Sequence, residues 1–300
     1  MTIATSLALL LLCAPLRAAT APYGILLLAH GGDASWNREI EILRARVDKQ
    51  VPTETALGMA DTKSLQAAVD ILEKRGVARI IAVPLFVQSR SEVLDQTRYA
   101  LGLAQKPSEA FRAGLALMPR THAGHSGHVH AMSFSLERVK ARAPIAMSRA
   151  LDDHELVARI LNKRAKALSQ DASKESVVLV AHGPVDDAAV PAWRDSMMSL
   201  CQALKGFRDC GFCLLRDDAA PEIRAAAVAA LRSTVARAKS REGRAIVLPV
   251  LIARGGIEEK IVKDLAGLDY AWDGKTLMPH TGFDAWILDR AASAAGEQGK

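Results

Sequence analysis

The chain has 300 residues, half of them apolar and only 4% aromatic, and its 39 basic and 33 acidic side chains give a formal charge of +6. That length suits two compact domains better than one, and the composition is globular, which excludes a disordered or fibrous protein. The charges are mixed Lys, Arg, Asp and Glu without interleaved aromatics, so they read as a solvated surface and no nucleic-acid partner is expected; a mild attraction for a carboxylate-rich anion is compatible with them.

The first expected element is a signal peptide over residues 1–21. Leu7 to Ala14 is an apolar run too short to span a bilayer, and the small residues Ala18-Ala19-Thr20-Ala21 follow it. No Lys or Arg precedes the run and Pro22 follows the small residues, so an uncleaved anchor or a misassigned start stays open. A periplasmic or secreted protein with no integral membrane span after signal removal is the expectation.

Next comes an apolar strand that delivers a histidine, Leu26-Leu27-Leu28-Ala29-His30-Gly31-Gly32. Ser64 to Lys74 has helical spacing of apolar residues, and Pro84-Leu85-Phe86-Val87 reads as a further strand. The phrases then recur. Val178-Leu179-Val180-Ala181-His182-Gly183-Pro184 repeats the first, Pro249-Val250-Leu251-Ile252 repeats the second, and Ile223 to Ala238 supplies the helix between them. Each half therefore alternates strand and helix, which predicts an α/β tandem duplication of two mostly parallel four-stranded sheets with helices on both faces. The expected domains are 22–170 and 171–300, with the boundary between about Ser169 and Glu175. In open α/β sheets ligands bind at the carboxyl ends of strands, where both histidines fall.

The first half is longer by roughly twenty residues, an insertion placed at about 105–140 that holds Thr121 to His130. His122, His125, His128 and His130 lie there among Gly and Ser, so the tract is either a metal-collecting loop or an exposed loop that binds metal adventitiously. Cys13 would leave with the signal, while Cys201, Cys210 and Cys213 remain. Cys210-Gly211-Phe212-Cys213 can close as a small disulfide in an oxidising space, or the cysteines are buried apolar residues. A four-cysteine zinc site lacks its second pair, and a thioredoxin-like motif should precede a helix where Cys213-Leu214-Leu215 reads as strand.

Leu28-Ala29-His30-Gly31, then Val83-Pro84-Leu85-Phe86 with a loop and helix after it, resemble the class II tetrapyrrole chelatases, the sirohydrochlorin cobaltochelatase and ferrochelatase family. Pro52 to Leu57, Ser64-Leu65 and Pro144 to Leu156 support the match, and the tandem form agrees with the repeat. The resemblance implies insertion of a divalent metal, Co²⁺, Fe²⁺ or Ni²⁺, into a sirohydrochlorin-type tetrapyrrole of the kind used in cobalamin biosynthesis. Metal and macrocycle are then the partners, with the metal as substrate and no organic cofactor. His30 matches the family's first active-site histidine, whose imidazole suits such metals and can also accept a proton.

The family's second histidine is missing from both halves. Its position falls on Glu92 in the first and on Ile257 in the second. Glu92 is expected either as a metal-ligating, catalytic carboxylate beside His30 or as a helix-start acid favoured by the dipole. Arg90 and Ser89, in the same loop, are expected to hold substrate carboxylates. His182 is a candidate metal ligand, but Ile257 cannot ligate, so the second half is expected to lack an independent site, with Glu258 and Glu259 as solvated helix residues. His154 resembles a helix-start histidine of the family, in a capping role. Two functions stay open: an exported metallochelatase centred on His30, or a non-catalytic metal- or tetrapyrrole-binding protein that retains the fold.

Overall fold

The computed structural model describes residues 23–109, 112, 136–239 and 243–297. Residues 1–22, which hold the expected signal, and the four tract histidines His122, His125, His128 and His130 lie outside the described residues.

The first half runs β1 (Gly24–Ala29), α1 (Ala34–Val47), β2 (Thr53–Leu57), α2 (Thr62–Lys74), β3 (Ile80–Pro84), α3 (Glu92–Ala100), β4 (Ile145–Met147) and α4 (Glu155–Leu168). The second half runs β5 (Ser176–Ala181), a short 3-10 turn at Asp187–Ala189, α5 (Val190–Ala203), β6 (Asp209–Leu214), α6 (Pro221–Ala238), β7 (Ala245–Val250), α7 (Ile257–Asp264), β8 (Tyr270–Ala271) and α8 (Gly282–Glu297). The sheets have the orders β2-β1-β3-β4 and β6-β5-β7-β8, and every ladder is parallel.

The registers show how deep the duplication goes. Leu28 pairs with Pro84 as Val180 pairs with Pro249, and Ala29 pairs with Leu57 as Ala181 pairs with Leu214. β1 and β5 are buried along their whole lengths because helices cover both faces, which explains continuous apolar runs in place of alternation.

The alternate strand faces feed different cores. Ile25, Leu27, Ile81 and Val83 join Val177, Leu179, Ile246 and Leu248 in one central core that also holds Trp36, Leu161, Trp193 and Phe283. Leu26 and Leu28 face an outer core with α2, and Val178 and Val180 face another with α6. The two sheets thus share a middle layer made by α1, α4, α5 and α8.

Within that layer the last helix of each half is exchanged. α4 ends the first half but packs on β7 and α5, while α8 ends the second half and packs on β3, β4 and α1. Polar ties follow the exchange: Arg46 makes a two-pronged bond to Asp284, at 2.7 Å for each prong, and Arg79 donates to the Ala295 carbonyl at 2.8 Å. The division at 170/171 therefore follows the covalent repeat and not the packing units.

The cysteine pairing differs from the C-x-x-C expectation. Cys201 of α5 is bonded to Cys210 of β6, and Cys213 is a buried free thiol. Residues three apart on a strand point to opposite faces. Cys210 accordingly meets α5 at the central core while Cys213 enters the outer core with α6. The bond closes a short loop of sequence separation 9, so its removal in a Cys201→Ser/Cys210→Ser chain is expected to cost about 2–3 kcal/mol. Urea unfolding with and without reductant measures this. An unchanged midpoint, or a Cys210–Cys213 peptide in a non-reducing digest, would contradict the pairing.

Candidate active site

Both histidines stand just beyond a strand end and are held in the same way. Gly31 and Gly183 follow them with φ of 79° and 78°, in the left-handed region that glycine enters without strain. Each turn brings the glycine carbonyl back to its own histidine, so that Nδ1 lies 2.8 Å from Gly31 O in one half and 2.8 Å from Gly183 O in the other. A carbonyl oxygen only accepts, so Nδ1 carries a hydrogen in each ring. β1 and β5 are also the strands where chain order reverses direction across each sheet, the usual place for a ligand.

A residue that sequence reasoning missed completes the second half. His182 Nε2 lies 3.2 Å from Asp218 Oδ2, with 28% of the histidine side chain and 64% of the aspartate side chain exposed. Burial pulls the His182 pKa down, but the bond to Asp218, the Gly183 carbonyl and the charges of Asp218 and Asp217 together raise it above the ordinary value. Asp218 is lowered, chiefly by His182, with Lys260 and His30 adding to the effect against burial. The neighbouring Asp217 is buried and neutralised by Arg224 and by Lys260, the latter at 3.3 Å. Asp218 follows the end of β6, so the carboxyl-end rule that singled out the histidines also covers it.

The loop after β3 is turned inward and across. Asp152, only 1% exposed, accepts from Ser89 N at 2.7 Å and from the Ser89 hydroxyl at 2.8 Å, and that hydroxyl in turn accepts from Ala150 N at 2.8 Å. Ser89, expected to hold substrate, thus has its hydroxyl engaged within the loop. Glu92, expected beside His30 as a ligand, is the first residue of α3 and accepts from Asp186 N of the opposite half at 2.6 Å. Gln88 donates to Ala192 O and Ser196 Oγ of α5, and Trp193 donates to Arg90 O. The loop after β3 and the first residue of α3 therefore serve as a strap onto α5 and the His182 loop. The Arg90 side chain is exposed and suits a carboxylate.

Ile257 begins α7 after Gly256 and offers no donor atom. Glu258 departs from the solvated expectation. It is 4% exposed and accepts from Gly255 N at 3.1 Å, closing the loop that precedes its helix, whereas Glu259 is exposed. Among the described residues no group of three or more His, Cys, Asp and Glu side chains is placed to hold a metal ion, and no helix is long and apolar enough to cross a membrane. A hollow of ≈ 480 Å³ lies against Asp187, Arg194 and Arg216, and neither His30 nor His182 lines it.

His154 takes the expected capping place, its Nδ1 accepting from Leu156 N at 3.2 Å at the start of α4. His280 repeats it before α8, accepting from Gly282 N at 3.0 Å. Both bonds need an unprotonated Nδ1. Burial, then Arg290, lowers the His154 pKa, and burial, then Lys163 and Arg159, lowers that of His280. The unfolded chain binds these protons more readily, so the stabilisation is complete above about pH 6.5 and is lost as pH falls through the depressed folded values. Thermal melts between pH 7.5 and 5 should fall less steeply for a His154→Asn/His280→Asn chain, each cap contributing about 1 kcal/mol. Parallel pH profiles would refute this.

Comparison with known proteins agrees with this geometry. The CbiX family model matches residues 24–93, from β1 to the start of α3. No curated protein matches. Among solved structures, SirB from Bacillus subtilis with Fe³⁺ superposes with a TM-score of 0.58 at 16% identity, covering 93% of this chain and 98% of that one. The sirohydrochlorin chelatase SirB from Bacillus subtilis subspecies spizizenii in complex with cobalt gives 0.57 at 13%, with 93% and 97% covered. CbiX, described as the terminal enzyme for biosynthesis of siroheme in denitrifying bacteria, gives 0.54 at 19%, with 90% and 99% covered. Two parallel four-stranded sheets in tandem define a class II chelatase fold. The CbiX family model is similar to residues 24–93 alone, and the likeness of the solved structures extends the same fold over the rest of the chain.

Proposed function

We propose that the protein is a metallochelatase that inserts a divalent metal into a sirohydrochlorin-type tetrapyrrole in the cleft between the carboxyl ends of the two sheets. The observation that carries this reading is His30, just beyond β1 inside the CbiX-matching segment, with Nδ1 fixed by Gly31 O. Such an imidazole both ligates a borderline divalent metal and accepts a proton near neutral pH. The metal is a substrate, with Co²⁺ and Fe²⁺ the first choices because the structural neighbours are described with cobalt and Fe³⁺. Ni²⁺ is the third choice. Arg90 is the group proposed to grip a macrocycle carboxylate.

Export to an oxidising compartment is part of the proposal, supported by the Cys201–Cys210 disulfide together with the apolar run and small residues of the amino terminus. The alternative, a non-catalytic binder of metal or tetrapyrrole, is favoured by one observation: Glu92 is tied to Asp186 N. Incubation of the purified chain with Co²⁺ and sirohydrochlorin, followed by absorbance, separates the two. A metal-loaded spectrum growing at a rate proportional to protein supports the chelatase. A spectrum that shifts only stoichiometrically with protein supports the binder.

A further inference from the structure

We propose that the first half binds a carboxylate ligand on Arg290, at the place that the second half fills with its own Asp273. The two halves supply the comparison. His154 and His280 cap α4 and α8 through matching bonds, and Arg164 and Arg290 stand at the same interval beyond them. α4 packs on β7, and the exchange packs α8 on β3 and β4. Ala146 and Ala271 pair with Ile81 and Ile246 on matching rungs of the two sheets. Two residues beyond each lie Ser148 and Asp273, which are therefore counterparts.

Arg164 has what a buried guanidinium needs. It forks onto Asp273 and donates to Pro249 O and Lys275 O. Arg290 has a serine in the counterpart position, and that hydroxyl donates to Arg149 O at 3.1 Å. Among the described residues no hydrogen bond or ion pair engages the Arg290 guanidinium, and its Nε is enclosed without a partner. An arginine does not shed its charge in a protein, so a partly buried one without a partner calls for an anion.

The carboxylates nearby do not answer it. Asp152 is committed to Ser89 and to Arg149, the latter at 3.0 Å. Burial holds the Arg290 pKa below the ordinary arginine value, Arg149 adds its like charge, and Asp152, Asp289 and Asp153 oppose this only through space. A planar anion with two oxygens matches the guanidinium fork, as Asp273 does in the other half. Arg290 is only partly buried, so such an anion reaches it from solvent. Two sources share that chemistry: a small free carboxylate, and a carboxylate arm of the proposed macrocycle. Only the second rests on the chelatase reading.

Sodium acetate is the probe, titrated into the full chain against sodium chloride at equal ionic strength. The thermal midpoint should rise with acetate. The Arg290 Nε–H NMR signal should shift with a dissociation constant of about 1 mM, the strength of two or three charge-assisted hydrogen bonds. Arg290→Met should lose the thermal response. Ser148→Asp, which gives the first half the carboxylate that the second half has, should abolish the response and raise the midpoint in chloride alone. An Nε–H signal indifferent to acetate, or a thermal response that survives both substitutions, would overturn the site. A response to sulfate as large as that to acetate would overturn the carboxylate assignment. Should Arg290→Met fail to fold, Ser148→Asp and the NMR signal of the parent chain decide. The insertion assay separates the sources: acetate that raises the KM for sirohydrochlorin marks a macrocycle arm as occupant, and an unchanged KM marks a free carboxylate. No tetrapyrrole enters the binding measurements, so their failure and a failure of the insertion assay are distinguishable.

Discussion

Arg164→Ala is expected to lower the unfolding free energy by about 3–5 kcal/mol, the usual cost of leaving a buried charge without its partner. Arg164 belongs to α4, the exchanged helix, and only 7% of it is exposed. It forks onto Asp273 with bonds of 3.0 and 2.8 Å and also donates to Pro249 O at 3.2 Å and Lys275 O at 2.6 Å. These bonds tie a helix of the first half to β7 and the loop after β8 in the second. Burial works against the Asp273 carboxylate, but Arg164 and the Lys275 N–H outweigh it and hold its pKa below the ordinary value. Its contribution is therefore complete above about pH 4 and is lost as pH falls through the depressed value. Chemical denaturation of Arg164→Ala, Asp273→Asn and the double variant measures the coupling. Additive losses would show that the two side chains do not act together.

Within the proposed chelatase, His30→Ala is expected to reduce the rate of metal insertion by about 10²–10⁴-fold, the range for removing a positioned acid–base group. The ring lies half-buried beyond a strand end, so the fold should survive with a nearly unchanged melting temperature. Removing the imidazole takes away both a metal ligand and a proton acceptor, and Glu92 is engaged with Asp186 N. The comparison with His182→Ala is informative because that ring retains the same glycine-carbonyl anchor in the other half. Turnover of His30→Ala within a few-fold of the parent chain would remove His30 from the mechanism. Progress curves at saturating Co²⁺ keep the test independent of metal affinity.

Much of this was legible along the chain. The two His-Gly phrases and the two proline strands reported the duplication, the parallel sheets and the ends at which chemistry gathers, because strand period, glycine turns and helix spacing are local properties. The wrong half of the cysteine reading was correctable by the same local logic, since strand alternation already sends Cys210 and Cys213 to opposite faces. Asp218 was missed although it follows a strand end, because an aspartate in Arg216-Asp217-Asp218 reads as an ordinary turn until a histidine is placed beside it. The contrast between halves also shifted: Ile257 made the second half look empty, while the structure supplies its histidine with a carboxylate from the adjacent strand.

The sequence by itself determined the repeat, the α/β class and the histidine at each leading strand, since each is written in residues close together. The tertiary structure alone decided which residues meet. It exchanged α4 and α8 between the sheets, set Glu92 against the Asp186 amide ninety-four positions away, and paired Cys201 with Cys210. The physical reason is that the apolar face of a terminal helix does not specify which of two near-identical sheets it covers. Shape and the few buried charges settle that only once both sheets exist, as the Arg164–Asp273 pair does across the exchange.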